Sequence, residues 1–194
     1  IDRERRHARY GDPWGPPAQR RAEVRRRVGP ALDRSAPGRV RLSSLCAGDG
    51  RDLLPVLAGH PRGGDVHGRL VELEPGLCAA ARMSAPPGVE VLEAGAGSAS
   101  ACAGAVPADL LLLCGISATV RAVPPLLATG GTGIWTRSTR PPDLTPRIGS
   151  WFEAVGVEEV SFARAARPGR SVGAGVHRGP TAPFEADLRP FTFV

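Results

Sequence analysis

The sequence predicts an α/β fold, in which a doubly wound, mostly parallel sheet of seven strands carries helices on both faces. Three observations lead to this prediction. After Gly38, short apolar runs alternate with helical stretches. The run Ala108–Cys114 is almost continuously apolar, which is typical of a central strand buried on both faces. A chain of 194 residues, 42% hydrophobic with a mean hydropathy of −0.11, suits one such domain and is short for two.

Five strand–helix units followed by a strand pair account for the chain in order. The predicted strands are Val40–Cys46, Val66–Glu72, Val89–Leu92, Ala108–Cys114, Gly133–Arg137, Val157–Phe162 and Ser171–Arg178. The predicted helices are Ala18–Val28, Asp52–Gly59, Gly76–Met83, a proline-containing segment after the fourth strand, and Leu144–Val155. Pro55 and Pro75 fall in first turns, where a missing N–H costs little, and Asp143 is placed to cap the last helix.

The basic character of the chain is concentrated at its N-terminus. All 25 basic residues are arginine, and residues 1–41 contain 12 of them with only five acidic residues. We interpret residues 1–38 as a basic helical arm or lid and residues 39–194 as one compact domain. A nucleic-acid-binding arm is the alternative. No aromatic pair of the RNA-binding kind accompanies the arginines, so we favour a solvated helix, in which Glu23 pairs with arginines three and four residues later, over nucleic acid as a partner.

The composition also bounds location and chemistry. No apolar run reaches the 18 residues of a membrane-spanning helix, and the charged start of the sequence predicts no secretory signal. Four cysteines without a C-x-x-C pair favour buried thiols in a reducing cytoplasm over disulfides. Four dispersed histidines show no metal-ligand spacing. We therefore expect a cytoplasmic protein without a membrane anchor or a metal site, of undetermined oligomeric state.

A glycine turn follows the first predicted strand. In a doubly wound sheet the ligand lies beyond the carboxyl ends of the strands, beside this strand. The sequence there is Ala47-Gly48-Asp49-Gly50, and two glycines one residue apart let the backbone approach a ligand closely. Glu72 stands 24 residues after Gly48 at the end of the second strand. A carboxylate at that place can accept both hydroxyls of a ribose; the alternative is a solvated strand end.

The surrounding pattern argues against a dinucleotide. Leu53 occupies the position where the dinucleotide fingerprint needs a third small residue. Because the chain contains no lysine, it cannot form a G-x-x-x-x-G-K-[ST] phosphate loop either. A cofactor with a ribose and no pyrophosphate therefore fits the sequence better.

With these residues the chain resembles the class I S-adenosylmethionine-dependent methyltransferases. Residues 44–52 are similar to the glycine motif I of that family, and residues 71–75 to the acidic loop after its second strand. Residues 107–115 resemble its motif IV, and residues 130–137 with 157–162 resemble the last third of its fold. More narrowly, the chain is similar to a subgroup of actinobacterial methyltransferase-like proteins.

The resemblance covers nearly the whole chain and implies a Rossmann-like methyltransferase fold with S-adenosyl-L-methionine as cofactor. The cofactor contacts that it implies come from Ala47, Gly48, Asp49, Gly50, Glu72, Leu73, Ala96, Gly97 and Cys114. One departure concerns the adenine. Family members usually place an acidic residue just after the third strand, where this chain has Gly95, so backbone contacts from Ala96 would read the ring edge.

The implied activity is transfer of the sulfonium methyl to a small-molecule O, N or C nucleophile, by alignment and desolvation. No catalytic residue is assigned; Tyr10 and His7 are the candidates if a proton acceptor is needed. The candidate acceptor-side residues are Tyr10, Trp14, Ser117, Thr119 and Arg137. Two alternatives stay open: a scaffold of this fold acting through its arginine-rich arm, and a cofactor-bound enzyme that catalyses a rearrangement.

Overall fold

The computed structural model describes residues 16–114, 123–139, 143, 145–164 and 170–185. Its strands are β1 (Val40–Leu45), β2 (Val66–Glu72), β3 (Val89–Glu93), β4 (Ala108–Cys114), β5 (Leu127–Ser138), β6 (Val157–Arg164) and β7 (Arg170–His177). They form one sheet in the order β3-β2-β1-β4-β5-β7-β6. The first five strands are parallel, and β7 runs antiparallel between β5 and β6. The predicted fold class is therefore confirmed.

The helices lie on both faces of this sheet. They are α1 (Pro16–Arg34), α2 (Leu54–Gly59), α3 (Pro75–Arg82), α4 (Ala99–Cys102), α5 (Val123–Leu126) and α6 (Thr145–Ala154). Pro55 and Pro75 occupy first turns as predicted. The Glu74 side chain caps α3 by accepting hydrogen bonds from two backbone N–H groups. At α6, Asp143 accepts a hydrogen bond from the Thr145 N–H at 3.0 Å, so the helix starts one residue later than predicted.

Beyond shifts at helix ends, α4 and β5 differ from the prediction for local reasons. The sequence does not predict α4, because four residues rich in alanine show no helical periodicity. Strand β5 begins at Leu127 instead of Gly133, and its register against β4 shifts between Ala108 and Leu110. Its first half is glycine-rich, with Gly130 at φ +83°, so it lacks the apolar pattern that marks a strand.

Two apolar clusters fill the space between the sheet and the helices. The first lies under α1, α2 and α3 and includes Leu42, Leu70 and Leu110 of the central strands. The second lies under α4, α5 and α6. There the rings of Trp135 and Phe152 lie 4.2 Å apart, centroid to centroid, so the last helix packs against β5.

Helix α1 belongs to this core although it is rich in arginine. Val24, Val28 and Leu32 are fully buried on one of its faces. The helix continues beyond the predicted end at Val28, through Gly29 and Pro30, because it buries Leu32 in its last turn. The predicted pairing of Glu23 with the arginines three and four residues later is confirmed. The division of the chain at residue 38 stays a prediction.

Three features that the composition raised are the cysteines, membrane-spanning helices and metal ligands. The four cysteines all lie in the described part of the chain and form no disulfide. Across the described residues, none of the helices combines the length and apolarity that crossing a bilayer requires. In the same residues, no three histidine, cysteine or carboxylate side chains come together as metal ligands.

Candidate functional site

The sheet order places a crevice between β1 and β4. These two strands are parallel neighbours, with Leu45 opposite Leu113. The helix that follows β1 packs on one face of the sheet and α5, which follows β4, packs on the other. A doubly wound sheet opens at such a switch point, beyond the carboxyl ends of the strands. The described residues that follow β1 and β2, and Cys114 at the end of β4, therefore lie beside the crevice.

The turn after β1 has the tight backbone that the two glycines predict. Gly48 has φ +61° and Gly50 has φ +73°, both in the left-handed region that favours glycine. A Cβ on Gly50 would lie 2.5 Å from Leu54 Cδ1, so that position also lacks space for a side chain. Cys46 has φ +54°, which is uncommon for a residue with a side chain. The turn is therefore held in a conformation that few sequences would adopt.

Glu72 fastens this turn to the end of β2. Its Oε2 accepts a hydrogen bond from the Gly48 N–H at 2.8 Å. Its Oε1 accepts hydrogen bonds from the N–H groups of Leu73 at 2.8 Å and Glu74 at 3.0 Å. A carboxylate offers about four acceptor positions, and three are used here. Glu72 thus holds the loop and keeps about one position for a ligand, instead of the two that the sequence suggests.

The loop after β3 lies next to the same carboxylate. The Ala94 N–H donates to the Glu72 backbone carbonyl at 2.9 Å, which extends the strand pairing by one residue. Ala96 is buried and Gly97 half-buried in the following turn. Leu73, in contrast, is 52% exposed, an unusual fraction for a leucine beside a glycine turn. An apolar side chain and a backbone turn therefore flank Glu72.

Asp52, two residues after Gly50, takes part in a buried ion pair. Its Oδ2 lies 2.7 Å from Nη2 of Arg20 in α1, and both residues are less than 10% exposed. Its Oδ1 is buried and has no hydrogen-bond partner among the residues that the structure describes. An orphaned carboxylate oxygen is costly to bury, so this position is suited to a ligand donor. Asp52 does not cap α2, since the residue at the N-cap is Leu53.

Two more arginines order the glycine turn from outside. Arg51 pairs with Asp49, with Nε 2.7 Å from Oδ1. The Arg25 side chain of α1 donates to the Arg51 carbonyl, with Nε 3.0 Å from that oxygen. Burial, reinforced by the nearby Arg21, lowers the pKa of Arg25 from its ordinary value. Helix α1 is therefore tied to the turn at two points.

Cys114 ends β4 and Arg137 lies near the end of β5. Cys114 is directly opposite Thr136, so Arg137 lies one residue further along the neighbouring strand. Burial, reinforced by the Asp52 charge, raises the pKa of the Cys114 thiol to about 12. Cys114 is thus a neutral thiol at physiological pH. The structure brings Arg137 to the predicted carboxyl edge, and its carbonyl accepts a hydrogen bond from the Ser171 hydroxyl at 3.5 Å.

Five predicted residues lie outside the described residues: His7, Tyr10, Trp14, Ser117 and Thr119. Arg20 and Arg25 are not among the predicted site residues. A signal for Arg20 exists, because it precedes Val24 by four residues and Val28 by eight. That spacing puts it on the buried face of the helix.

Comparisons with known proteins add to this geometry. No protein-family model and no curated protein sequence matches the chain. Among solved structures, an exported protein candidate from Bordetella parapertussis is similar with a TM-score of 0.62 at 15% identity, over 84% of this chain and 68% of that one. The precorrin-6y C5,15-methyltransferase of Geobacter metallireducens GS-15 gives a TM-score of 0.56 at 14% identity, over 79% and 87% of the two chains.

CalO1, a methyltransferase in calicheamicin biosynthesis solved with S-adenosylhomocysteine bound, gives a TM-score of 0.50 at 18% identity. The match covers 82% of this chain and 55% of CalO1, so this chain spans little more than half the length of that protein. Likeness at these identities shows the fold alone. The chain therefore has the Rossmann-like fold of these methyltransferases.

Proposed function

We propose that the chain binds S-adenosyl-L-methionine and transfers its methyl group to a small-molecule O, N or C nucleophile. The observation that carries the proposal is the hydrogen bond from the Gly48 N–H to Glu72 Oε2, which joins the glycine turn after β1 to the carboxylate that ends β2. Two solved structures of this fold are methyltransferases, and one of them holds S-adenosylhomocysteine. This supports the cofactor as well as the reaction type.

The residues present fit that cofactor. Glu72 keeps about one acceptor position, which suits a ribose hydroxyl. The exposed side chain of Leu73 suits the apolar face of an adenine ring. The backbone of the turn at Ala96 suits the polar edge of that ring. The buried, partnerless Oδ1 of Asp52 suits the ammonium group of the methionine portion. The ribose, the adenine and the ammonium group of the cofactor thus each have a complementary group at this edge of the sheet.

When bound, the cofactor supplies an electrophilic methyl group on a sulfonium. The residues of the chain then have to hold the two reactants in line and exclude water, without necessarily moving a proton. Arg137, near the end of β5, is our candidate for binding an anionic or hydrogen-bonding acceptor. Tyr10 and His7 stay candidates for a proton acceptor, and Tyr10, Trp14, Ser117 and Thr119 stay candidates for the acceptor side.

Isothermal titration calorimetry with S-adenosylmethionine and S-adenosylhomocysteine tests the proposal. We expect saturable binding of one cofactor per chain, and weaker binding in Glu72→Ala. Absence of binding to both compounds would overturn the proposal and favour a scaffold without cofactor, which the glycine at position 95 would then explain. Binding with rearranged, unmethylated product would favour the second alternative. The actinobacterial subgroup stays a prediction, and we propose a cytoplasmic location because four thiols without a disulfide suit a reducing compartment.

A further inference from the structure

A cavity lies at the opposite edge of the sheet from the glycine turn. Its volume is about 420 Å³, which is in the range of small-molecule sites. It opens beside the amino-terminal ends of β1, β2, β3 and β4. Five charged or titratable residues line it, together with glycines: Arg39, Arg41, His67, Glu90 and Asp109.

The strand register explains why these side chains meet. Arg41 on β1 is directly opposite His67 on β2. Glu90 on β3 is opposite Arg69, which lies two residues after His67 and so on the same face of β2. Asp109 on β4 comes one residue before Leu110, which is opposite Leu42. All four lie on the sheet face that α4 serves. Helix α4 is only four residues long, and among the residues that the structure describes Arg41 and Glu90 stay exposed at this end of the face.

In each of the two carboxylates of the cavity, one oxygen already has a hydrogen-bond partner. Glu90 Oε2 lies 2.8 Å from Nε of Arg69, and Asp109 Oδ2 accepts the Arg41 backbone N–H at 2.7 Å. Each keeps its other oxygen as an acceptor. His67 Nδ1 donates to the Asp65 carbonyl at 2.8 Å, which leaves Nε2 as an acceptor too. Three acceptors of hydroxyl groups are therefore present along one wall.

Arg39 and Arg41 provide positively charged hydrogen-bond donors in the same cavity. Nη1 of the Arg41 guanidinium donates a hydrogen bond to the Pro107 carbonyl at 3.1 Å. The other N–H groups of this guanidinium can donate to a ligand. Arg39 is exposed, and it makes no hydrogen bond or ion pair with the residues that the structure describes. Two guanidinium groups at one mouth are suited to an oxyanion, above all a phosphate.

We propose that this cavity binds a small phosphorylated sugar, with its phosphate on Arg39 and Arg41 and its hydroxyls on His67, Glu90 and Asp109. The combination of two cationic donors with three acceptors separates this ligand class from a bare anion or a neutral sugar. The site is distinct from the proposed cofactor site, since the two lie at opposite ends of the parallel strands.

Calorimetry with three probes at constant ionic strength tests the proposal: ribose 5-phosphate, inorganic phosphate and ribose. We expect ribose 5-phosphate to bind at least about tenfold more tightly than either other probe, because only it uses both sets of groups. Arg39→Gln and Arg41→Gln should each weaken it by about tenfold or more. Arg178→Gln, an exposed arginine paired with Glu158 at the far edge of the sheet, is the matched control and should bind normally.

Thermal melting checks that each variant folds. Because Arg39 is exposed, we expect Arg39→Gln to fold, so the test can still be made if Arg41→Gln unfolds. Absence of saturable binding to the wild type overturns the proposal, as does binding that survives in both folded variants. Equal affinity for phosphate and ribose 5-phosphate overturns the role of the carboxylates. Binding that disappears in Glu72→Gln or in excess S-adenosylhomocysteine would place the sugar at the carboxyl edge and overturn the separate site.

Discussion

The carboxylate of Glu72 holds the glycine turn and, in our proposal, binds the cofactor, and Glu72→Gln separates the two roles. Glutamine keeps the size of the side chain but replaces one oxygen with an NH₂ group. If its remaining oxygen serves the N–H groups of Leu73 and Glu74, the NH₂ faces the Gly48 N–H, and two donors oppose each other. The bond to Gly48 is then lost.

A hydrogen bond to a charged group contributes about 1.5–3 kcal/mol. The remaining oxygen keeps its hydrogen bonds with the N–H groups of Leu73 and Glu74, so we assign the loss to Gly48 alone. We expect the free energy of unfolding to fall by about 1.5–3 kcal/mol, measured by urea denaturation. Affinity for S-adenosylhomocysteine should fall by about tenfold or more, because a charged acceptor for the ribose is also lost.

Glu93→Gln is the matched control. Glu93 ends β3 opposite Glu72, is exposed, and undergoes the same change of charge. Its stability should change by less than about 0.5 kcal/mol. If Glu72→Gln equals this control in both stability and affinity, the fastening role is wrong. If stability falls while affinity stays unchanged, Glu72 shapes the loop and does not bind the cofactor.

Three further changes test the neighbourhood of the turn. Gly50→Ala should cost about 2–4 kcal/mol of unfolding free energy, from a left-handed backbone and an overlap with Leu54, whereas Gly64→Ala, with open space around it, should change little. Arg20→Met should cost about 3–5 kcal/mol because it leaves Asp52 buried without its partner, and the double variant with Asp52→Leu should recover most of the loss; equal losses in both would contradict the pair. With its pKa at about 12, the Cys114 thiol should resist iodoacetamide at pH 8 until the protein is denatured. Because an unfolded thiol ionises near pH 8.5, this group should make the free energy of unfolding fall as pH rises from about 8.5 towards 12. Fast labelling of the native thiol would contradict the raised pKa.

The fold was accessible from the sequence because buried parallel strands have a distinctive pattern. The run Ala108–Cys114 is the strand observed, and so is Val66–Glu72. What escaped prediction has no such pattern. Helix α4 is too short for periodicity, and the glycines at the start of β5 contribute no side chains to alternate.

The candidate site also has features that the sequence predicts and features that only the structure shows. The proximity of Gly48 and Glu72 follows from topology, because β1 and β2 are parallel neighbours and their carboxyl ends meet. The pairing of Arg20 with Asp52 depends on how α1 docks across the sheet, which no local pattern encodes. The number of backbone donors that Glu72 accepts depends on the loop conformation, so its remaining capacity for a ligand emerges only from the structure.

The burial of α1 restricts which part of the N-terminal arm can act as a lid. A lid must expose what it covers when it opens. Moving α1 would expose Val24, Val28 and Leu32, each fully buried. At about 1.5–3 kcal/mol for each side chain, exposing them costs about 5–9 kcal/mol before the ion pair of Arg20 is counted. That is comparable to the whole stability of a typical domain, about 5–15 kcal/mol. We therefore do not expect α1 to open as part of the lid predicted for residues 1–38, and its contacts tie the stability of the core to the geometry of the glycine turn.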